Sequence, residues 1–179
     1  MIYHTPVGRR QMHRIKTLYK SAFPVQEQKP FFIIEKMYKL GKTDIWYFEQ
    51  NGEFIGLATT INGKEEVLID YFAVADEHRG KGYGTLMIKM LRGYYLPRGI
   101  FLEIEIPYED SENREERVRR KNFYLNAGLK EMGTSVRLFD VDMELLGTGC
   151  ALDFDKYRKF YLRNYGKYAY DHIERINII

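Results

Sequence analysis

The chain has 179 residues, enough for one domain with a sizeable core, and its 45% hydrophobic and 30% charged residues are those of a globular protein rather than a disordered one. Lys and Arg exceed Asp and Glu by 28 to 25, too slight a bias to signal nucleic-acid binding and compatible with an anionic cofactor. A single cysteine, Cys150, excludes an intrachain disulfide and fits a reducing, cytoplasmic setting. Met1 to His4 followed by Pro6 lacks the apolar core of a signal peptide, and no run approaches the roughly 20 apolar residues of a membrane span.

Met12, Ile15, Leu18, Tyr19 and Ala22 recur at helical spacing, predicting an amphipathic helix that ends near Phe23-Pro24. A polar stretch, Val25 to Lys29, leads to Pro30, a suitable first helical residue. Ile33, Ile34, Met37 and Leu40 then give a second helical face, with Gly41 as its stop. Asp44 to Gln50 and Glu53 to Ile61 read as strands joined by Asn51-Gly52, a two-residue hairpin signal, and Asn62-Gly63 turns the chain into a third strand, Glu66 to Val74. Gly82 to Tyr95 has helical periodicity and is closed by Pro97. From Ile100 to Ile106 the residues alternate, with Phe101, Glu103 and Glu105 on one face and Leu102, Ile104 and Ile106 on the other. Asn113, with Glu116 three residues on, can cap a helix running to Asn126 with Gly128 as its stop. Leu129 to Met132 and Val136 to Leu146 read as the last strands. The segment 153–179 reads as added helix, with Phe154, Tyr157, Phe160 and Tyr161 at helical spacing. The element order predicts a mixed α/β domain whose mainly antiparallel sheet contains one strand–helix–strand crossover around residues 66–106.

The most informative residues are Arg79-Gly80-Lys81-Gly82-Tyr83-Gly84-Thr85, between a strand and a helix. Glycines let backbone amides approach a ligand closely, a helix N-terminus offers unpaired N–H groups, and Arg79 and Lys81 add positive charge: together a site for a diphosphate. The spacing is not that of a P-loop, nor the Gly-x-Gly-x-x-Gly of a dinucleotide fingerprint. Val74 to Gly84 instead resembles the coenzyme A pyrophosphate motif of the GNAT (Gcn5-related N-acetyltransferase) superfamily, Arg/Gln-x-x-Gly-x-Gly/Ala. Farther along, Asn122-Phe123-Tyr124-Leu125-Asn126-Ala127-Gly128-Leu129 resembles the second GNAT signature, and the elements between arrive in the family's order. The resemblance covers residues 1–147. It implies a GNAT domain there, with residues 148–179 an aromatic-rich helical extension packed on the same domain.

What the resemblance implies is an N-acetyltransferase that transfers the acetyl group of acetyl-CoA to a primary amine by direct attack, without a metal. The alternative is a non-catalytic GNAT module that binds acyl-CoA or a protein partner. Phe72, Ala73 and Val74 map to the strand whose backbone pairs with pantetheine and carries the oxyanion donor. Arg79, Gly80, Lys81, Gly82, Tyr83, Gly84 and Thr85 map to the diphosphate turn, and Tyr124 to the family's general acid at the thioester sulfur. Glu103 and Glu105, on the strand expected beside the acyl group, are the favoured bases, acting directly or through water, ahead of Asp70 and Glu27; solvated surface carboxylates are the bland alternative. Many members carry an Asn seven residues before this tyrosine; here that position is Arg117, in the basic run to Lys121. Phe23 to Pro30 maps to the wall of the acceptor cleft. Small amines, polyamines, antibiotics and peptide or protein amines all remain open as acceptors. The aromatic tail is expected to pack on its own domain, with closure over the cleft or a homodimer contact as alternatives. Nucleic-acid binding through Arg9, Arg10, Arg14 and the 117–121 run is disfavoured, because these clusters lie on separate helices.

Overall fold

The structure, a computed structural model, describes residues 1–5 and 7–177; Pro6 and the last two positions of the predicted tail, Ile178 and Ile179, lie outside them. The fold is a mixed α/β one with mostly antiparallel strands flanked by helices, and the chain divides into two compact units, Met1–Asn62 with Leu68–Leu91 and Gly63–Val67 with Arg92–Ile179.

The first unit holds β1 (Ile2–His4), α1 (Arg9–Ala22), α2 (Phe31–Lys39), β2 (Thr43–Gln50), β3 (Glu53–Asn62), most of β4 (Glu66–Val74) and the first turns of α3 (Tyr83–Tyr95). Its strands follow the order β1-β2-β3-β4. Asn51 and Gly52 both adopt left-handed backbone, φ 52° and 80°, so the hairpin between β2 and β3 has the primed geometry that suits twisted strands. The stripe predicted on α1 is the one that is buried: Ile15, Leu18 and Tyr19 pack with Ile45, Tyr47, Leu57 and Tyr71. Each such side chain contributes about 1.5–3 kcal/mol by leaving water. α2 begins one residue later than predicted, because Pro30 is its cap rather than its first turn.

The second unit holds β5 (Gly99–Glu105), α4 (Arg114–Asn126), β6 (Lys130–Leu138), β7 (Val141–Thr148), α5 (Phe154–Tyr165), α6 (Lys167–Asp171) and β8 (Ile173–Arg175). These strands are ordered β5-β7-β6-β8, and each neighbouring pair is antiparallel. Three expectations are corrected here. The run Val136 to Leu146 is not one strand: Phe139 and Asp140 turn left-handed, φ 46° and 66°, and fold it into the β6–β7 hairpin. Phe-Asp carries no hairpin signal comparable to Asn-Gly, so the turn was hidden in an apolar run. The predicted capping box at α4 does not form. The Asn113 side chain makes no cap bond, and Glu116 turns to Arg120 at 2.9 Å instead. The tail is not wholly helical either, since β8 follows α6 and pairs with β6 at Leu138↔Ile173.

α5 itself follows the expected pattern. Asp153 caps it by accepting the Lys156 N–H at 2.9 Å, and Tyr157, Phe160 and Tyr161 turn inward, with Phe160 edge-on to Phe101 of β5 at 5.2 Å between ring centres. Among the described residues no helix is long and apolar enough to cross a membrane.

Candidate active site

The sequence-predicted site residues divide between the units. In the first, β4 alternates as it ends: Tyr71 and Ala73 are buried, Phe72 and Val74 half-buried. The Ala75 N–H then donates to Ile55 O at 2.9 Å. One turn of 3-10 helix, Asp76–His78, follows, and Arg79 leaves it extended. Gly80 and Gly82 both take left-handed backbone, φ 73° and 79°, and a Cβ at either would meet no protein atom within 4 Å. These residues are therefore glycine for their backbone and for the open space beside it, not for packing. α3 begins directly after, its first bond running from the Leu86 N–H to Gly82 O at 3.2 Å. The opening N–H groups of any helix have no carbonyl partner within that helix. The turn is thus a glycine-rich bend at a positive helix end, the kind of backbone that can hold an anion.

The cations at its rim are held at their charged ends by acceptors of the preceding turn. Arg79 Nη2 lies 2.9 Å from Asp76 Oδ1 and its Nε donates to Val74 O at 3.2 Å, while Lys81 Nζ donates to Glu77 O at 2.7 Å. His78 stands edge-on to Tyr83, with ring centres 5.8 Å apart. Beyond the other end of the Phe72–Val74 run, Tyr71 fastens the loop between α1 and α2. Its hydroxyl donates to Glu27 O at 2.7 Å and accepts the Lys29 N–H at 3.0 Å. The Glu27 carboxylate is exposed, and Asp70 is paired with Lys29 at 2.6 Å.

In the second unit Tyr124 is buried on α4. Burial raises its pKa to about 12, against the lowering influence of Arg120, so it is a neutral phenol throughout the working pH range. Glu103 and Glu105 alternate onto one face of β5, as read from the sequence, but different helices claim them. Glu103 Oε1 accepts the hydroxyls of Tyr157 and Tyr161 from α5, each at 2.8 Å. Glu105 Oε2 pairs with Arg117 Nε of α4 at 3.1 Å. Arg117 also donates from Nη1 to Ile106 O at 3.0 Å, so its guanidinium is held between Glu105 and the main chain just after β5. One turn later on α4, Lys121 bridges Glu131 at 2.6 Å and Glu144 at 2.7 Å.

Sequence reasoning missed the partners of Glu103 and the latch formed by Tyr71. The helical spacing of Tyr157 and Tyr161 was visible, and tyrosine rather than leucine at buried positions signals a need for a polar partner. Nothing local names that partner. Cys150 has Sγ 3.9 Å from Ile100 O, and burial pushes its pKa up to about 11, away from that of an activated thiolate.

Residues 12–114 match the family model described as Acetyltransferase (GNAT) family. Among solved structures, a GNAT-family protein from Bacteroides thetaiotaomicron aligns over 93% of this chain and 99% of its own, with 24% identity and a TM-score of 0.73. Spermidine N-acetyltransferase from Vibrio cholerae, solved with CoA and spermine, aligns over 82% of this chain and 93% of its own, at 17% identity and a TM-score of 0.63. An aminoglycoside 6'-N-acetyltransferase complexed with coenzyme A aligns over 83% and 96%, at 15% identity and a TM-score of 0.63. Likeness at these identities is likeness of fold. No curated protein matches the sequence.

Proposed function

Because the chain belongs to the acetyltransferase (GNAT) family, we propose that it is an N-acetyltransferase that moves the acetyl group of acetyl-CoA to a primary amine by direct attack. The observation that carries this reading is the turn at Gly80 and Gly82, left-handed at both positions, free of protein atoms where side chains would stand, and opening onto α3.

In this reading the N–H groups from Gly80 to Thr85 hold the diphosphate, and Arg79 and Lys81 supply counter-charge by turning from Asp76 and the Glu77 carbonyl. The backbone of Phe72, Ala73 and Val74 pairs with the pantetheine amides and supplies the donor for the thioester oxygen. The thioester supplies the activated acyl carbon. Tyr124 donates a hydrogen bond to the departing sulfur. Its pKa of about 12 lies well above the value of about 8.5 for a free thiol, so Tyr124 stabilises the thiolate without giving up its proton for good. The net proton comes from the ammonium that becomes the nucleophile. With Glu103 and Glu105 each held by a neighbour, that proton leaves through water toward one of these carboxylates.

The engagement of both carboxylates is also the observation that favours the second reading, a GNAT module that binds acyl-CoA without turnover. One experiment separates the two. Thermal unfolding with acetyl-CoA, against NAD and ATP as controls, reports the cofactor, because a ligand of the native state raises the midpoint. Thiol release with a panel of amines reports the reaction. A shift with thiol release supports the transferase; a shift with none supports the binding module. No shift at millimolar acetyl-CoA sinks the transferase and leaves a non-catalytic module that binds a protein partner.

A further inference from the structure

α2 is apolar on two sides. Its inner side carries Phe31, Ile34 and Tyr38, with Ile34 buried in the core of the first unit and the other two packed against that core. Its outer side carries Phe32, Ile33 and, at the C-cap, Leu40, which stay 67%, 41% and 61% exposed. At 3.6 residues per turn these three fall with Lys36 and Lys39 on one stripe, roughly a third of the helix circumference, and Lys36 lies at its centre. Neither lysine has an ion-pair partner among the described residues, and the single acid of α2, Glu35, is turned to Lys16 of α1 at 2.8 Å. The outer stripe is therefore apolar and basic, with no carboxylate of its own helix to neutralise it.

A helix that is apolar all round is ordinarily enclosed by other elements, and an apolar patch left in water marks a contact surface. We propose that the outer stripe of α2 docks an amphipathic helix of a partner protein, one that sets carboxylates among its apolar residues. The proposal stands apart from the acetyltransferase reading, since it uses no residue of the glycine turn, β4, β5 or α4. Charge selects the partner: carboxylates complement Lys36 and Lys39, and apolar side chains cover Phe32, Ile33 and Leu40. A second copy meeting the first across this stripe by a two-fold axis would bring the two Lys36 side chains together, like against like. A bilayer suits a helix whose apolar residues are contiguous and whose cations stand on a separate polar face. Here Lys36 divides Phe32 from Ile33 and Leu40 around the helix. A helical partner fits because the stripe itself recurs at helical spacing, and two such helices pack side by side.

The test is fluorescence anisotropy with two labelled synthetic helical peptides that carry Leu at i, i+3, i+4 and i+7. One has Glu at the positions beside the leucines, and the other has Lys there. The wild type is expected to bind the Glu peptide and not the Lys peptide, with an affinity that falls as salt is raised. Lys36→Glu and Phe32→Ser are each expected to weaken binding about ten-fold or more. Both positions are exposed, so neither change removes a core contact, and far-UV circular dichroism checks the fold. Lys159→Glu makes the same charge change on an exposed lysine of α5 and should leave the affinity within about two-fold. No binding of the Glu peptide by the wild type, or equal binding by the wild type, Lys36→Glu and Phe32→Ser, overturns the proposal. Cosedimentation with phosphatidylserine vesicles, or self-association in analytical ultracentrifugation, that is lost in Phe32→Ser would also overturn it, by giving the stripe to a membrane or to a second copy.

Discussion

Tyr161 and Glu103 are 58 positions apart in the chain, and the Tyr161 hydroxyl donates to Glu103 Oε1 at 2.8 Å. Tyr157, one helical turn earlier on α5, donates to the same oxygen at the same distance. Burial, and after it the charge of Glu103, pushes both phenols well above their ordinary pKa, so they stay protonated and remain donors. The carboxylate that the sequence marks as a candidate base is also the polar anchor of the aromatic tail.

Removing either hydroxyl while keeping the ring isolates this anchor. Tyr157→Phe and Tyr161→Phe should each destabilise the protein by about 1–3 kcal/mol, the range for hydrogen bonds to a charged group. The double variant should lose more than either single one, because it leaves the oxygen without either hydroxyl. Urea unfolding followed by far-UV circular dichroism measures this. No loss in the double variant would mean that ring packing alone holds α5 in place.

Gly82→Val should abolish acetyl-CoA binding, because a branched side chain at φ 79° is strained and fills the space left for the diphosphate. Gly93→Val, on the helix that follows but away from the turn, is the control for general damage. Calorimetry on folded Gly82→Val protein is the measurement, and normal affinity would remove the turn from the cofactor site.

Tyr124→Phe should lower kcat about 10²–10⁴-fold, the usual contribution of a positioned proton-donating group, and leave acetyl-CoA affinity nearly unchanged. Since the phenol titrates only near pH 12, wild type and variant should give pH–rate profiles of the same shape up to pH 10. Unchanged kcat would end the assignment of Tyr124 to the sulfur. An alkaline limb missing only from the variant would mean that the phenol titrates within that range.

The fold was legible in the sequence where local signals and tertiary demands agree. Asn51-Gly52 specifies its own backbone, the α1 stripe has only one face to bury, and the glycine turn cannot be built from other residues. The β6–β7 hairpin was hidden because Phe139 has no preference of its own for the left-handed backbone that the turn between Arg137 and Asp142 requires. The candidate site was legible as a set of residue types, not as a network. Glu103 and Glu105 alternate as read, but the hydroxyls that meet one and the guanidinium that meets the other come from helices whose docking no local pattern encodes. Asp70 drew attention only as a lesser base, because its partner Lys29 lies in a loop of no regular period.

Lys121 tests whether the basic run on α4 is structural. Its ammonium lies 2.7 Å from Glu144, whose side chain is only 10% exposed. Lys121→Met should cost about 2 kcal/mol, by leaving a mostly buried carboxylate without its cation. Lys121→Met combined with Glu144→Gln should cost less than the two single losses added together, and a double-mutant cycle in urea reads that coupling. Strict additivity would show that the two side chains do not depend on each other.

The last prediction concerns pH and the β6–β7 hairpin. Asp142 is gripped by Arg137, with Oδ1 2.7 Å from Nε and Oδ2 3.2 Å from Nη2, and Tyr108 donates to Oδ2 at 3.0 Å. The bond from Arg137 comes first in lowering the Asp142 pKa below its ordinary value; burial opposes it and Tyr108 assists. A carboxyl group whose pKa is lower in the folded protein than in the unfolded chain stabilises the fold above the unfolded value of about 3.9. That contribution is lost as pH falls from there through the folded value. Asp142→Asn should therefore lower the melting temperature at pH 7 and pH 5, and the gap from wild type should close as pH falls below the unfolded value and through the lowered folded one. A gap that persists undiminished at low pH would mean that Asp142 acts through shape and neutral hydrogen bonds rather than through its charge.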